Sequence, residues 1–322
     1  MRALLSLALL PLLATFAPFS LYKQPTIPAR PLVIFEPVVL NEDDPAQRRL
    51  GRLVFLEGWQ LRSNDPRFGG LSAMNVAGGR VTAISDGGFL MRFRLGDGPI
   101  APLDISMIED GPGSKDIKRD RDTEALAVHG GRAWVVFERR NSVWRYSAQT
   151  WRGRAAAAPP GMDDWSANSG GEAIVRLPDG RFVIFSEAYR RPDGSTQAIL
   201  FDGDPVEART KAVEIGYRGP QGYRITDAVS LPDGGILFLN RRFTFLNGFT
   251  AKLTLAPQPR LAKGDVLSGV EIAHFEAPVA ADNLEALSVD VENGRPVLWI
   301  ASDDNHTSLQ RTLLMKFALD AR

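Results

Sequence analysis

Residues 122–140 read DTEALAVHGGRAWVVFERR. An acidic entry leads into a short apolar strand, Ala125 to Val128. Gly130-Gly131 then turns the chain, and a second strand, Ala133 to Phe137, closes on Glu138. A two-residue glycine turn between apolar runs is a strong local signal for a β-hairpin. A hairpin returns its two ends to one edge, so Glu124 and Glu138 are expected side by side.

The same pattern occurs four more times. GGLSAM passes through Gly78-Gly79 into VTAISD; GEAIVRL turns at Pro178-Asp179-Gly180 into RFVIFSE; TDAVSL turns at Pro232-Asp233-Gly234 into GILFLN; LEALSV turns at Glu292-Asn293-Gly294 into VLWIASD. Further β segments follow each hairpin, among them Phe89 to Leu95, VWRYS, AILFD, TAKLTL and TLLMKFAL. The turn glycines Gly79, Gly131, Gly180, Gly234 and Gly294 lie 52, 49, 54 and 60 residues apart. A period near fifty with about four strands per repeat is the signature of a β-propeller blade. The expectation is an all-β chain forming a single propeller of five blades, with six the alternative if insertions hide another. The last repeat supplies three strands, and the strand at Arg52 to Leu61 has no blade of its own. Placed as the outer strand of the last blade, it closes the ring without an open edge.

Composition bounds the partners. The 322 residues carry 38 Lys+Arg and 38 Asp+Glu, so no net charge favours nucleic acid or an anionic membrane. The absence of cysteine excludes disulfides, thiolate metal sites and cysteine nucleophiles. Residues 1–22 begin with one arginine and continue for about twenty residues without charge, as in a secretory signal peptide; a membrane anchor is the alternative. The expected location is periplasmic or secreted, with contact to a membrane only through this segment, and the expected state is monomeric. Residues 23–48, with five prolines, read as an extended linker with room for an edge strand at Leu32 to Phe35; residues 49–322 form the propeller.

First strands of blades line the central channel. Aligning the repeats on the residue before the apolar run gives Gly70, Glu124, Glu172, Asp227 and Glu285; the ends of the second strands give Asp86, Glu138, Glu187, Asn240 and Asp303. Both sets belong to one mouth of the channel. Gathered carboxylates repel and need counter-charge, either a hard cation such as Ca²⁺ or arginine. Glu124, Glu172, Asp227 and Glu285 are therefore candidate metal ligands. Asp303, Asp304 and His306 in SDDNH are candidate catalytic groups, and Arg139, Arg241, Arg311 and Asn305 are candidates for holding substrate. The plainer role for any one of these acids is a tie between blades through backbone N–H groups and arginines. His129 lies in a hairpin turn equivalent to Ala77-Gly78-Gly79-Arg80, which argues against catalysis there. There is no G-x-S-x-G elbow, no H-E-x-x-H, no Walker A and no dinucleotide fingerprint.

DRDTEALAV (120–128), GGEAIVRLPDGRFVIFSE (170–187), and DNLEALSV followed by SDDNHTSLQRTLLMKF (282–289 and 302–317) resemble the family described as esterase-like activity of phytase. The resemblance spans about residues 50–320 and implies an exported bacterial β-propeller acting on phosphate or carboxylic esters, with a small anionic ester as substrate. It carries over Glu124, Glu172 and Glu285, the run Ser302-Asp303-Asp304-Asn305, and Gln310-Arg311. The chain departs from the pattern at Gly70, where an acid could stand, and at Asn240-Arg241. A propeller that binds a partner, glycan or cation without turnover is the alternative function.

Overall fold

The computed structural model describes residues 26–320 except Asp97, Asn168 and Arg260. The leader at 1–22 lies outside the described residues.

Each repeat folds as an antiparallel sheet. The first comprises Leu71–Ala77, Arg80–Ser85, Phe89–Arg94 and Asp104–Met107; the second Thr123–His129, Arg132–Phe137, Ser142–Ser147 and Gly153–Ala157. The third comprises Gly171–Arg176, Phe182–Arg190, Thr196–Phe201 and Ala212–Tyr217, with Val266–Leu267 added in parallel. The fourth comprises Arg224–Ser230, Ile236–Thr244, Gly248–Ala256 and Val270–Phe275. The fifth begins with Leu284–Glu292, Arg295–Ser302 and Leu313–Leu319. The first strand of every sheet packs against the first strands of the two neighbouring sheets, and the fifth returns to the first. That closed ring of inner strands is a propeller arrangement of five sheets. All five turn glycines have positive φ, between 72° and 92°, a conformation open to glycine and costly for most side chains.

The strand Leu53–Ser63 pairs antiparallel with Leu313–Leu319 and supplies the fourth strand of the last sheet, as the sequence requires. A further strand, Leu32–Pro37, pairs with Leu53–Ser63 on one side and with Ile100–Pro102 on the other. Its inward residues Val33 and Phe35 are buried, and Phe35 packs edge-on against Trp59 and Phe93. The strand Leu32–Pro37 thus covers the outer edge of the last blade and reaches Ile100–Pro102 beside the first.

The core is divided by the ring into five apolar clusters, one at each seam between sheets. Phe185, Tyr217 and Phe238 interlock at the seam of the third and fourth sheets, and Phe55, Phe275 and Phe317 at that of the fourth and fifth. Burial of each such ring contributes about 1.5–3 kcal/mol.

Polar ties complete the seams at one end of the ring. Thr123 Oγ1 donates to Ser85 O (2.6 Å), the Gly170 N–H to Glu138 Oε1 (3.3 Å), and Arg224 to Glu187 (3.0 Å). The Leu287 N–H donates to Asp227 Oδ2 (2.7 Å), and the Gly70 N–H to Asp304 Oδ1 (2.9 Å). Each of the five seams therefore has at least one side chain reaching across it.

Candidate functional site

Every first strand carries a β-bulge at the same place. The paired residues on either side of it are Leu71 and Ala73, Thr123 and Ala125, Gly171 and Ala173, Ile225 and Asp227, and Leu284 and Ala286. The unpaired residues are Ser72, Glu124, Glu172, Thr226 and Glu285. A bulge re-aims one side chain away from the alternation of its strand, and here it does so five times in register. The inner tier thus holds three carboxylates and two hydroxyls.

This register corrects the repeat alignment made from sequence. Gly70 stands two residues before the bulge of the first sheet, where Ser72 is the true counterpart. Asp227 stands one residue after that of the fourth, where Thr226 is. Asp227 was expected as a metal ligand beside Glu124, but it lies outside the tier. Its Oδ1 accepts from its neighbour Ala228 N–H (2.7 Å) and its Oδ2 from Leu287 N–H (2.7 Å), so both oxygens are engaged by backbone.

A second tier follows from the next backbone pair outward. Asp86, Glu138, Glu187 and Asp303 each donate their N–H to the opposite strand, at Gly70, Asp122, Gly170 and Asn283 respectively. In the fourth sheet the equivalent pair is Arg224 with Arg241, not Asn240. One blade therefore presents two guanidinium groups where the others present acids. Asn240 is fully buried and accepts from Tyr217 Oη (2.7 Å).

The cations settle only part of the negative charge. Arg241 donates to both Glu285 and Asn283, and Asn283 Nδ2 donates to Glu285 as well (3.0 Å). Arg224 takes Glu187, Lys118 takes Asp86 (2.6 Å) and Arg139 takes Asp122 (2.7 Å). Glu124 and Glu172 have no hydrogen-bond or ion-pair partner among the described residues. Burial pushes the Glu124 carboxyl well above its ordinary value, with Glu172 and Glu285 raising it further. Burial, with Glu187 and Glu285, does the same to Glu172. Glu138 is pushed up to about 7, mainly by burial, and Asp303 to about 8, by burial and then by Glu285.

Asp122, Glu124 and Glu138 come closest together: one carboxylate oxygen from each lies within 4.8 Å of the others. The pairing of Glu124 with Glu138 follows from the hairpin. Asp122 belongs to the same stretch, and the signal for it is its place opposite Glu138, which becomes visible only once the bulge is known. Oxygens bound to Ca²⁺ at about 2.3–2.6 Å from a common centre are separated by distances of this order. The donor set is all carboxylate, the chemistry of a hard cation. These three residues suit such an ion, and Glu172 on the next blade is unpaired.

The remaining expected residues are dispersed about the rim. Asp303 lies in the second tier, its Oδ1 accepting from the Asn305 N–H (2.7 Å). Asp304 is a seam tie: besides Gly70, its Oδ1 accepts from the His306 N–H (3.0 Å) and its Oδ2 from Thr312 Oγ1 (2.9 Å). His306 is exposed, with φ of 50°. A Cβ on Gly70 would lie 2.8 Å from both His306 Nε2 and Asp86 Oδ1, so the glycine at position 70 lets these two groups converge on one point. Asn305 donates to Gln310 (2.9 Å) at the rim. Arg311 turns away toward Asp282 and Glu42 (3.6 Å each) and is not brought to the acids.

The family model for phytase-like proteins, described as esterase-like activity of phytase, matches residues 66–306. The chain belongs to the phytase-like family. The match spans the repeats that build both tiers of this propeller. Among solved structures, a glutaminyl cyclase of Myxococcus xanthus superposes with a TM-score of 0.48 at 11% identity, covering 84% of this chain and 99% of that one. The β-propeller domain of Cps50 (Swd1) from Myceliophteria thermophila gives a TM-score of 0.36 at 11% identity, covering 74% of this chain and 64% of that one. No curated protein matches this phytase-like chain.

Proposed function

We propose that this phytase-like propeller is a metal-assisted hydrolase of phosphate or carboxylic esters, working at the acidic mouth of its channel. The observation that carries the reading is the unpaired state of Glu124, set among Asp122 and Glu138 with Glu172 nearby. A half-buried carboxylate among like charges and without a partner is costly, and either a proton or a cation relieves it. Asp122, Glu124 and Glu138 would hold the ion, with Glu172 as a further donor, and Ca²⁺ suits an all-oxygen set. When bound, such a cation supplies Lewis-acid polarisation of a phosphoryl or carbonyl oxygen.

The chain's own groups supply the rest. Arg241 and Arg224, each paired with an acid of the mouth, add positive charge that favours the approach of an anionic substrate. Asp303 and His306 stand on the same rim, and His306 would be the group to pass a proton to a leaving oxygen. A leader at residues 1–22 that opens on one arginine and continues without charge supports export of the protein.

The test is a thermal melt in Ca²⁺ and in EDTA, run beside hydrolysis of p-nitrophenyl phosphate and p-nitrophenyl acetate. A higher melting temperature in Ca²⁺ together with chelator-sensitive cleavage of either ester is the expected result. A Ca²⁺-dependent melt without cleavage would point to a binding propeller. An unchanged melt without cleavage would end the hydrolase reading.

A further inference from the structure

The hairpin joining the second and third strands of the fourth sheet, Ile236–Thr244 and Gly248–Ala256, carries an aromatic series outward from the mouth. The Arg241 guanidinium lies 5.9 Å from the Phe249 ring, Phe249 lies 4.9 Å from Phe243, and Phe243 lies 5.8 Å from Phe245. Phe243 is 54% exposed and Phe245 fully so. No core requires these rings, and their exposure costs solubility.

Phe243 and Phe249 wall a cleft of about 470 Å³ at the mouth. Arg224, Arg241, Arg242, Asn283 and Asn305 form much of its remaining lining. Arg224 and Arg241 are committed to Glu187 and Glu285. Arg242 differs. It rests over the Tyr223 ring at 4.6 Å, its Nε is buried without a hydrogen-bond partner, and it pairs with no carboxylate among the described residues. The cleft thus offers an uncompensated guanidinium next to an exposed aromatic wall, contiguous through Arg241 with the acidic tiers.

We propose that this cleft is the specificity pocket of the mouth and that it selects an anionic ester bearing an aromatic group. Arg242 takes the anion, and Phe243 and Phe249 take the ring. The proposal deepens the functional reading above and rests on it for the place of reaction, but binding in the cleft does not require turnover.

Calorimetric titration of the Ca²⁺-loaded protein with benzylphosphonate and methylphosphonate separates the two ideas, because neither ligand can be hydrolysed as an ester. Benzylphosphonate is expected to bind about tenfold more tightly, the order expected for a ring packed on two aromatic side chains. Phe243→Ala, an exposed position, removes that preference and leaves methylphosphonate affinity unchanged. Arg242→Gln weakens both ligands by about tenfold, through loss of a charge-assisted contact. Equal affinity for the two phosphonates, no binding of either, or an intact preference in Phe243→Ala would overturn the proposal. Aromatic preference in a protein that cleaves no ester would leave the pocket standing and remove the hydrolase reading alone.

Discussion

At the scale of single residues, two carboxylates that look alike in sequence do opposite work. Asp227 gives one oxygen to Ala228 N–H and the other to Leu287 N–H, across the seam of the last two blades. Only a carboxylate offers acceptors at both ends; an amide would set its NH₂ against a backbone N–H. Asp227→Asn is therefore expected to destabilise the fold by about 2–4 kcal/mol, since a buried donor is left without an acceptor. Glu124→Gln is expected to do the reverse in chelator, raising the melting temperature by relief of a half-buried, partnerless acid, while abolishing the Ca²⁺-induced rise. Melts of both variants with Ca²⁺ and with EDTA check the pair. If Glu124→Gln lowers stability without changing the metal response, the acid is structural. The sequence could show that acids recur near these positions. It could not show which were inside the tier, because a bulge adds one residue without any mark in composition and shifts the phase of each side chain beyond it. Glu124, Glu172 and Glu285 were legible because each directly precedes an apolar pair that aligns. Thr226 and Ser72 were not, being hydroxyls flanked by more conspicuous neighbours.

At the scale of elements, the hairpins were readable almost strand for strand, because turn glycines and apolar runs are local signals. The place of Leu32–Pro37 was less so, since its pairing with Leu53–Ser63 and Ile100–Pro102 is set by tertiary contact. Its burial of Val33 and Phe35 predicts the effect of removing it. Truncation of residues 26–37 exposes the faces of Trp59 and Phe93 that Phe35 now covers. A loss of about 3–5 kcal/mol follows, from two large side chains returned to water. Denaturant melts with a dye-binding readout for apolar surface measure it. Truncation that continues through Ser63 also removes the fourth strand of the last blade, and a cooperative melt should then be lost altogether. A cooperative melt in that shorter chain would refute closure by this strand.

At the scale of the whole molecule, the acidic mouth makes stability depend on pH in an unusual direction. Glu138 and Asp303 titrate near 7 and 8 in the folded protein, above their ordinary values of 4.5 and 3.8. Between those limits the native state holds protons that the unfolded chain has lost, so stability falls as pH rises. In EDTA the melting temperature is expected to decline as pH rises from about 4 through 8. With Ca²⁺ bound to the ionised acids, the decline should shrink or reverse. A melt in chelator that rises over the same interval would contradict the protonated state of these groups. The charge balance of the chain, zero overall, gave no hint of this. The local surplus arises only because the ring brings distant repeats to one end.

The pairing of Leu53–Ser63 with Leu313–Leu319 has a consequence for how the protein is made. The two halves of that blade stand on either side of the other four in sequence, so a nascent polypeptide cannot complete its circle until all five repeats have been made. Four blades must wait with a strand edge and a seam uncovered. Long-range pairing of this kind is slow, and open edges invite association with other chains. Refolding yield should therefore fall with protein concentration more steeply than the stability of the finished ring would suggest.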